Sequence, residues 1–551
     1  MQIIIDNQKA TSIEEEEEKV HEQDLERVKD YQVSSDYYQT NNHNETHEFG
    51  KRGKFYKNSQ QKIKKWISKG KQIIWSRRRS FYWLHTLFVV VGGLLFSGII
   101  YGTDSSAKLA YIDALFMGIS ALTATGLTPV NFASQTLSTQ IVVIILSIFG
   151  STVMDSTIPL IVRMWRLRQR KLKVSKFKSS PSSNSDPAMV VVSLEHKAVY
   201  ILAITIALYW FTTQLIAFIS MGLWFQLSTA GSNVMTLNNI NPWWFSLFHT
   251  ISAFNNAGFG LLSDSLIQVN AQILPLIFMG GLIMFGYPFY PVFLRGILFV
   301  SHSIASRLNS SLALPFRYIL ENPRNYITHL FPRHPTWILC SILVFLTALQ
   351  TVLLASLDHN TSAFDGLNAG YVTANSFFQS ISVRMCGLNS INIAALRVES
   401  LVLMIGYMYI SAYPITILLR STNKSSSLPE EEKATSFQLR RLLMQDLLWI
   451  MVPWYFICAI EGYTSFSDGF TCLFEVVSAY GTIGLSLGLS YAPYSFSGSF
   501  SIPSKLAIIL LMTIGRHRGM PDNIDAAIPL NFAGSSSRPL EVQSRRRSSI
   551  S

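Results

Sequence analysis

Residues 478–488 read SAYGTIGLSLG, and the interpretation of this stretch decides the fold. Its last five letters, GLSLG, match the G-x-S-x-G pattern, which holds a hydrolase serine on a tight turn between a strand and a helix. On that interpretation Ser486 is a catalytic nucleophile. On the other interpretation the functional residue is Gly484, which belongs to an octamer, SAYGTIGL, that the chain repeats elsewhere.

The octamer has three relatives in the chain, and all four copies align without a gap. The relatives are SALTATGL at 120–127, SAFNNAGF at 252–259 and ISVRMCGL at 381–388. Each copy has a glycine at its seventh position and a phenylalanine ten residues before that glycine. The glycines are Gly126, Gly258, Gly387 and Gly484, and the phenylalanines are Phe116, Phe248, Phe377 and Phe474. Since only the last copy has the G-x-S-x-G frame, the repeat favours a function for the glycines, and a membrane serine hydrolase using Ser486 stays a remote alternative.

The composition is that of a membrane protein. The 551 residues are 49% hydrophobic and only 14% charged, whereas a soluble protein is about a quarter charged. Charge-free runs at 198–224, 270–294, 335–356 and 401–419 each approach the roughly 20 residues that cross a bilayer. We predict an all-α polytopic membrane protein with eight transmembrane helices, beginning near residues 81, 135, 198, 270, 335, 401, 447 and 502. The four cysteines are scattered and indicate neither a disulfide framework nor a metal site.

Charge sets the predicted orientation. Basic residues crowd every second connection between the spans, so the positive-inside rule places both termini in the cytosol. The net charge of +12 reflects these segments, which would contact anionic lipid headgroups, and no nucleic-acid partner is expected. An outer connection carries Asn360-Thr361-Ser362, a candidate glycosylation acceptor. The predicted organisation is a disordered cytosolic tail at 1–80 that ends in a basic juxtamembrane stretch, pore repeats at 81–166, 198–300, 335–422 and 444–530, cytosolic connections at 167–197, 301–334 and 423–443, and a cytosolic tail at 531–551.

Each octamer follows an odd-numbered span on the outer side, which gives the repeat a physical meaning. Non-helical backbone is tolerated at membrane depth only where protein buries it or water lines it. Four such segments can converge on one axis, and glycine reaches positive φ, so that successive carbonyls can replace the hydration shell of a cation. The helix before each turn would point its negative end at the same axis. The alternative is that the glycines only permit close packing of spans.

At these residues the chain resembles the Trk/Ktr/HKT superfamily of potassium transporters, most closely its fungal Trk branch. The resemblance covers roughly residues 80–530 and is carried by LFEVVSAYGTIGLSLG (473–488), GRHRGMPDNID (515–525), FQSISVRMCGLNS (378–390), RYILENPRNYITHLFPRHPTW (317–337) and MYISAYPITILLRSTN (408–423). It implies potassium uptake across the plasma membrane through a single-chain pore, driven by the membrane potential and without a cofactor. A potassium/sodium symporter or sodium carrier of the same superfamily is the alternative, and a homo-oligomer is left open.

The resemblance also implies roles for particular residues. The selectivity filter would consist of Thr125 and Gly126, Ala257 and Gly258, Cys386 and Gly387, and Ile483 and Gly484. Glycine at the first filter position goes with potassium permeation in this superfamily, and serine there marks many sodium-selective plant relatives. Met385 and Cys386 replace smaller residues, which bears on the width and cation selectivity of the third position.

Four further residues are implied near the pore. Lys505 and Arg516 match basic residues of the last inner helix, although each could instead be an interfacial anchor. The sixth span is interrupted below the filter in relatives and acts as a gate. Gly406 and Ser411 lie at that depth here, and simple packing contacts are the alternative for both.

Overall fold

The computed structural model describes residues 81–103, 109–177, 187–323, 326–327, 329–410 and 431–519. Throughout these ranges the regular secondary structure is helical, and the single extended pairing is an isolated bridge between Leu489 and Ala492. The prediction of an all-α fold is therefore confirmed for this part of the chain. The two tails and Ser411 lie outside the described residues.

The first two repeats share an order of elements: a first span, a short pore helix, a non-helical return and a second span, and repeat two has one more short helix before its pore helix. The helices of repeat one are α1 (Phe81–Thr103), α2 (Tyr111–Leu122), α3 (Leu137–Phe149) and α4 (Thr152–Phe177). Those of repeat two are α5 (Pro187–Leu227), α6 (Thr229–Leu237), α7 (Pro242–Phe254), α8 (Ile273–Gly286) and α9 (Tyr290–Arg307). Helices α4 and α5 extend past the predicted boundaries of the first connection at 167 and 197.

Repeats three and four follow after a short connecting helix, α10 (Ala313–Glu321). Repeat three consists of α11 (Arg333–Leu357), α12 (Ala369–Met385) and α13 (Val398–Tyr409). Repeat four consists of α14 (Glu431–Glu461), α15 (Phe466–Gly481) and α16 (Ile502–Arg516). Asn360 is exposed in the turn after α11, where the acceptor triplet stays a prediction.

Length and composition support several membrane spans among the described residues. Three helices are long and apolar enough to cross a bilayer, within α1, α5 and α11, and two bent pairs raise the number to five. The bent pairs are α3 with α4, at 55°, and α8 with α9, at 81°. The count of eight spans stays a prediction, because α13 and α16 are shorter than a full crossing.

Apolar side chains separate into a buried set and a lipid-facing set. Large apolar residues on the outward faces of the long helices are well exposed, among them Leu95, Ile216 and Phe345, as expected of helices surrounded by hydrocarbon. The buried set forms two clusters, one drawn mainly from repeats one and two and the other mainly from repeats three and four. The pore helices pack inside these clusters, which places their C-terminal ends in the interior.

Candidate functional site

The four repeated glycines are brought into contact in cyclic order, and the four loops therefore meet at one place. A β-carbon on Gly126 would lie 2.5 Å from the carbonyl oxygen of Ala257, and one on Gly258 would lie 2.8 Å from the amide nitrogen of Gly387. One on Gly387 would lie 2.6 Å from the carbonyl group of Gly484, and one on Gly484 would collide with the carbonyl oxygen of Thr125. Real β-carbons do not approach backbone this closely, so every position in the ring excludes a side chain.

Loops one, two and four reach the ring by the same backbone path. Their glycines have positive φ, at 93° for Gly126, 74° for Gly258 and 91° for Gly484. Two residues earlier, each has a left-handed residue, with φ of 50° at Ala124, 54° at Asn256 and 50° at Thr482. Both conformations are rare for residues with a side chain, so a glycine is needed at the second of them.

In each of these three loops, a serine in the last two turns of the pore helix forms hydrogen bonds that stabilise this backbone conformation. The amides of Thr125 and Ala257 donate to the carbonyls of Ser120 and Ser252, both at 2.8 Å, and that of Ile483 donates to the carbonyl of Ser478 at 3.0 Å. The hydroxyl oxygens of Ser120 and Ser478 accept hydrogen bonds from the amides of Gly126 and Gly484, at 3.0 and 3.1 Å. In loop two the Ser252 hydroxyl donates to the carbonyl of Phe259 instead, at 2.7 Å.

Loop three takes a different path, so the gap-free alignment is wrong for its helix. Helix α12 continues to Met385, and neither Met385 nor Gly387 has positive φ. Phe377 is 44% exposed, whereas Phe378 is 1% exposed and occupies the buried position of the other three phenylalanines. Ser382 stands five residues before its glycine, and the other serines stand six before theirs. Its hydroxyl donates to the carbonyls of Leu388, at 2.6 Å, and Cys386. Loop three is therefore one residue shorter, and it lacks the left-handed residue.

The two basic residues predicted near the pore are each paired with a carboxylate of repeat one. Lys505 Nζ lies 2.7 Å from Asp113 Oδ1, in the first turn of α2. Arg516 Nη2 lies 2.7 Å from Asp155 Oδ2, in the first turn of α4, and also donates to the carbonyl of Gly150. Both pairs are largely buried, and they join the last inner helix to the first repeat.

A second set of glycines, which the sequence analysis missed, lies where inner helices pass the ends of pore helices. A β-carbon on Gly150, Gly286 or Gly515 would collide with the carbonyl oxygen of Leu122, Phe254 or Tyr480, respectively. The signal in the sequence was the recurrence of IFG, MFG and TIG at 148–150, 284–286 and 513–515. Gly406, the candidate gate glycine, has no such neighbour, and α13 ends three residues after it at Tyr409.

Ser486 stabilises the turn that follows the fourth glycine. Its hydroxyl oxygen accepts hydrogen bonds from the amides of Gly488, at 3.1 Å, and Phe496, at 2.8 Å. The segment before it is helix α15, whereas a nucleophile elbow needs a strand at that place. Nearby, the buried carboxylate of Glu475 accepts from the amide of Ser497 at 3.0 Å, which anchors the same return segment.

Re-entrant segments that follow pore helices and meet on their glycine backbones define a helical membrane protein of the pore-loop class. Residues 54–537 match the TrkH family of cation transport proteins, and the chain belongs to that family. Named relatives include a putative potassium transport protein of Dictyostelium discoideum, 36% identical over 61% of this chain and 50% of that protein. The potassium transporter TRK1 of Candida albicans is 34% identical over 61% of this chain and 34% of that protein.

The chain thus spans half or less of the length of these curated relatives. Among solved structures, the potassium transporter TrkH from Vibrio parahaemolyticus is 15% identical, with a TM-score of 0.47 over 79% of this chain and 82% of that one.

Proposed function

We propose that this chain takes up potassium ions across the plasma membrane through one pore, with a carbonyl selectivity filter formed by the four loops. The observation that carries the proposal is the cyclic contact of the four glycine backbones. Membership of a cation transport family supports the class of substrate, and the printed names of the relatives support potassium as the ion.

The residues that precede the glycines favour backbone ligands over side-chain ligands. They are Thr125, Ala257, Cys386 and Ile483, which differ in polarity and size and share only the backbone. A ring of carbonyl oxygens replaces the hydration shell of a potassium ion without any particular side chain. In this proposal Gly126 favours potassium, and passage of sodium is the alternative that the uptake experiment measures.

The remaining organisation of the transporter belongs to the same proposal. Four pore repeats, at 81–166, 198–300, 335–422 and 444–530, surround the pore, and both termini face the cytosol. An inside-negative potential then drives potassium inward with about 2.3 kcal/mol per charge for each 100 mV. We place the gate below the filter, at the end of α13, where Gly406 lies and where Ser411 follows outside the described residues.

The experiment is expression in a host that lacks its own potassium uptake systems. We expect growth at low external potassium, rubidium uptake that potassium inhibits and sodium does not, and no uptake by the Gly484→Val variant at equal surface level. Growth equal to that of empty vector, with the protein at the surface, contradicts the proposal. Sodium uptake that exceeds rubidium uptake favours the sodium carrier.

A further inference from the structure

The pore helix of loop three differs from the other three in charge. Arg384 stands in the last turn of α12, and the last turns of α2, α7 and α15 have no basic residue. When the one-residue shift of loop three is taken into account, Arg384 corresponds to Leu122, Phe254 and Tyr480. A permanently charged side chain thus occupies a position that is apolar or aromatic in the other repeats.

Arg384 is buried and has no partner among the described residues. Its side chain is 5% exposed, and Nε, Nη1 and Nη2 all lack a hydrogen-bond acceptor. The other buried cations of the described chain, Lys505, Arg516 and Arg163, each face a carboxylate. Since leaving a buried guanidinium unpaired costs considerable free energy, packing alone does not account for an arginine here.

The location gives this charge an electrostatic effect on the ring. The C-terminal end of a helix carries roughly half a negative charge, which attracts a cation placed beyond it. A full positive charge in the last turn of α12 more than cancels that attraction. Arg384 stands three residues before Gly387, so its backbone lies within about 11 Å of the ring. The C-terminal ends of α2, α7 and α15 would therefore attract a cation at the ring, whereas the charge of Arg384 would offset the attraction of α12.

We propose that Arg384 is a specificity-determining residue, which weakens cation binding at the filter and excludes divalent cations more strongly than monovalent ones. The inference rests on the proposed function. The Coulomb energy between the guanidinium and an ion is proportional to the charge of the ion. If the guanidinium lowers the affinity for a monovalent cation by some factor, it lowers the affinity for a divalent cation of similar size by the square of that factor.

The experiment compares R384Q and R384M with the charge-retaining control R384K. Rubidium uptake is measured at several rubidium concentrations, and barium, a divalent ion of similar radius to potassium, is added as the inhibitor. For both neutral variants we expect the KM for rubidium to fall about threefold and the half-inhibitory barium concentration to fall about tenfold. R384K should match the wild type in both quantities.

Three results would overturn the inference. R384K could change as much as R384Q, which assigns the arginine a packing role. Barium sensitivity could change by the same factor as KM, or by less, which removes the electrostatic cause. If the neutral variants do not reach the surface, the wild type is tested alone. Its half-inhibitory barium concentration should then exceed its KM for rubidium. A half-inhibitory barium concentration tenfold below that KM rejects the inference. An absence of rubidium uptake by the wild type instead rejects the proposed function.

Discussion

The third pore loop and the other three reach the same ring by different paths. Loops one, two and four place a left-handed residue two positions before a glycine of positive φ. Loop three extends its helix to Met385, has one residue fewer and reaches Gly387 without positive φ. A β-carbon on any of the four glycines would nevertheless meet the backbone of the next loop within 3 Å.

The difference separates two reasons for a glycine. Close approach of a neighbouring backbone excludes a side chain at all four positions, whereas backbone conformation demands glycine only at Gly126, Gly258 and Gly484. All four loops share the backbone contact around the ring, whereas the backbone path that leads to the ring differs in loop three. Substitutions at Gly387 and at the other three glycines can therefore separate the cost of the close approach from the cost of the φ strain.

The largest expected effect is that of Gly484→Ala compared with Gly387→Ala. The first variant meets both a collision with the Thr125 carbonyl and a strained φ of 91°, and the second meets only the contact with Gly484. We expect rubidium uptake to fall about tenfold for Gly387→Ala and about fiftyfold for Gly484→Ala, because roughly 1 kcal/mol of φ strain is equivalent to a further factor of about five. Uptake assays at matched surface levels decide this. Equal losses of uptake in the two variants would show that the positive φ of Gly484 adds nothing to the cost of substituting it.

The next effect is on selectivity, at Gly126. Serine there adds a β-carbon 2.5 Å from the Ala257 carbonyl oxygen and disfavours the φ of 93°, so one carbonyl should turn out of the ring. A large dehydrated cation then fits worse than a small one. We expect the rubidium-to-sodium uptake ratio to fall about tenfold, equivalent to about 1.4 kcal/mol. Gly102→Ser is the matched control, since nothing lies within 4 Å of its β-carbon position. An unchanged ratio means that loop one is not part of the filter.

The smallest effects distinguish two serines of loop four. Ser478→Ala removes the acceptor of the Gly484 amide hydrogen bond, so the path to the ring loosens and uptake should fall about threefold. Ser486→Ala removes the hydroxyl oxygen that accepts from the amides of Gly488 and Phe496. The free energy of unfolding should fall by about 1–2 kcal/mol while uptake stays within about twofold. Surface-normalised uptake and thermal unfolding of the purified protein measure both. Complete loss of uptake in Ser486→Ala, with thermal stability unchanged, would contradict a purely structural role for Ser486 in the return segment.

The sequence predicted the features that recur in all four repeats, and it missed the length of the third loop and the contacts between distant residues. Four glycines in register identified the loops, since close approach of the next loop excludes a side chain at every one of these positions. The shorter third loop stayed hidden because two adjacent phenylalanines, Phe377 and Phe378, allowed an alignment without a gap. The partners of Lys505 and Arg516 lie 392 and 361 residues away, and no local pattern predicts such pairs. The family resemblance therefore implied a place near the pore for Lys505 and Arg516, but their carboxylate partners came only from the structure.

The two buried ion pairs have a consequence for synthesis. Asp113 and Asp155 leave the ribosome 392 and 361 residues before Lys505 and Arg516, a delay of roughly 20–80 s at ordinary rates of translation. During that interval neither carboxylate has the lysine or arginine with which it pairs in the folded chain, although Nε2 of His85 in α1 lies near Asp155 Oδ1, at 3.7 Å. The arrival of α16 supplies both cations at once. Helix α16, the last of the described α-helices to be synthesised, thus completes the charge pairing of the first repeat, and a chain released before α16 keeps Asp113 and Asp155 without Lys505 and Arg516.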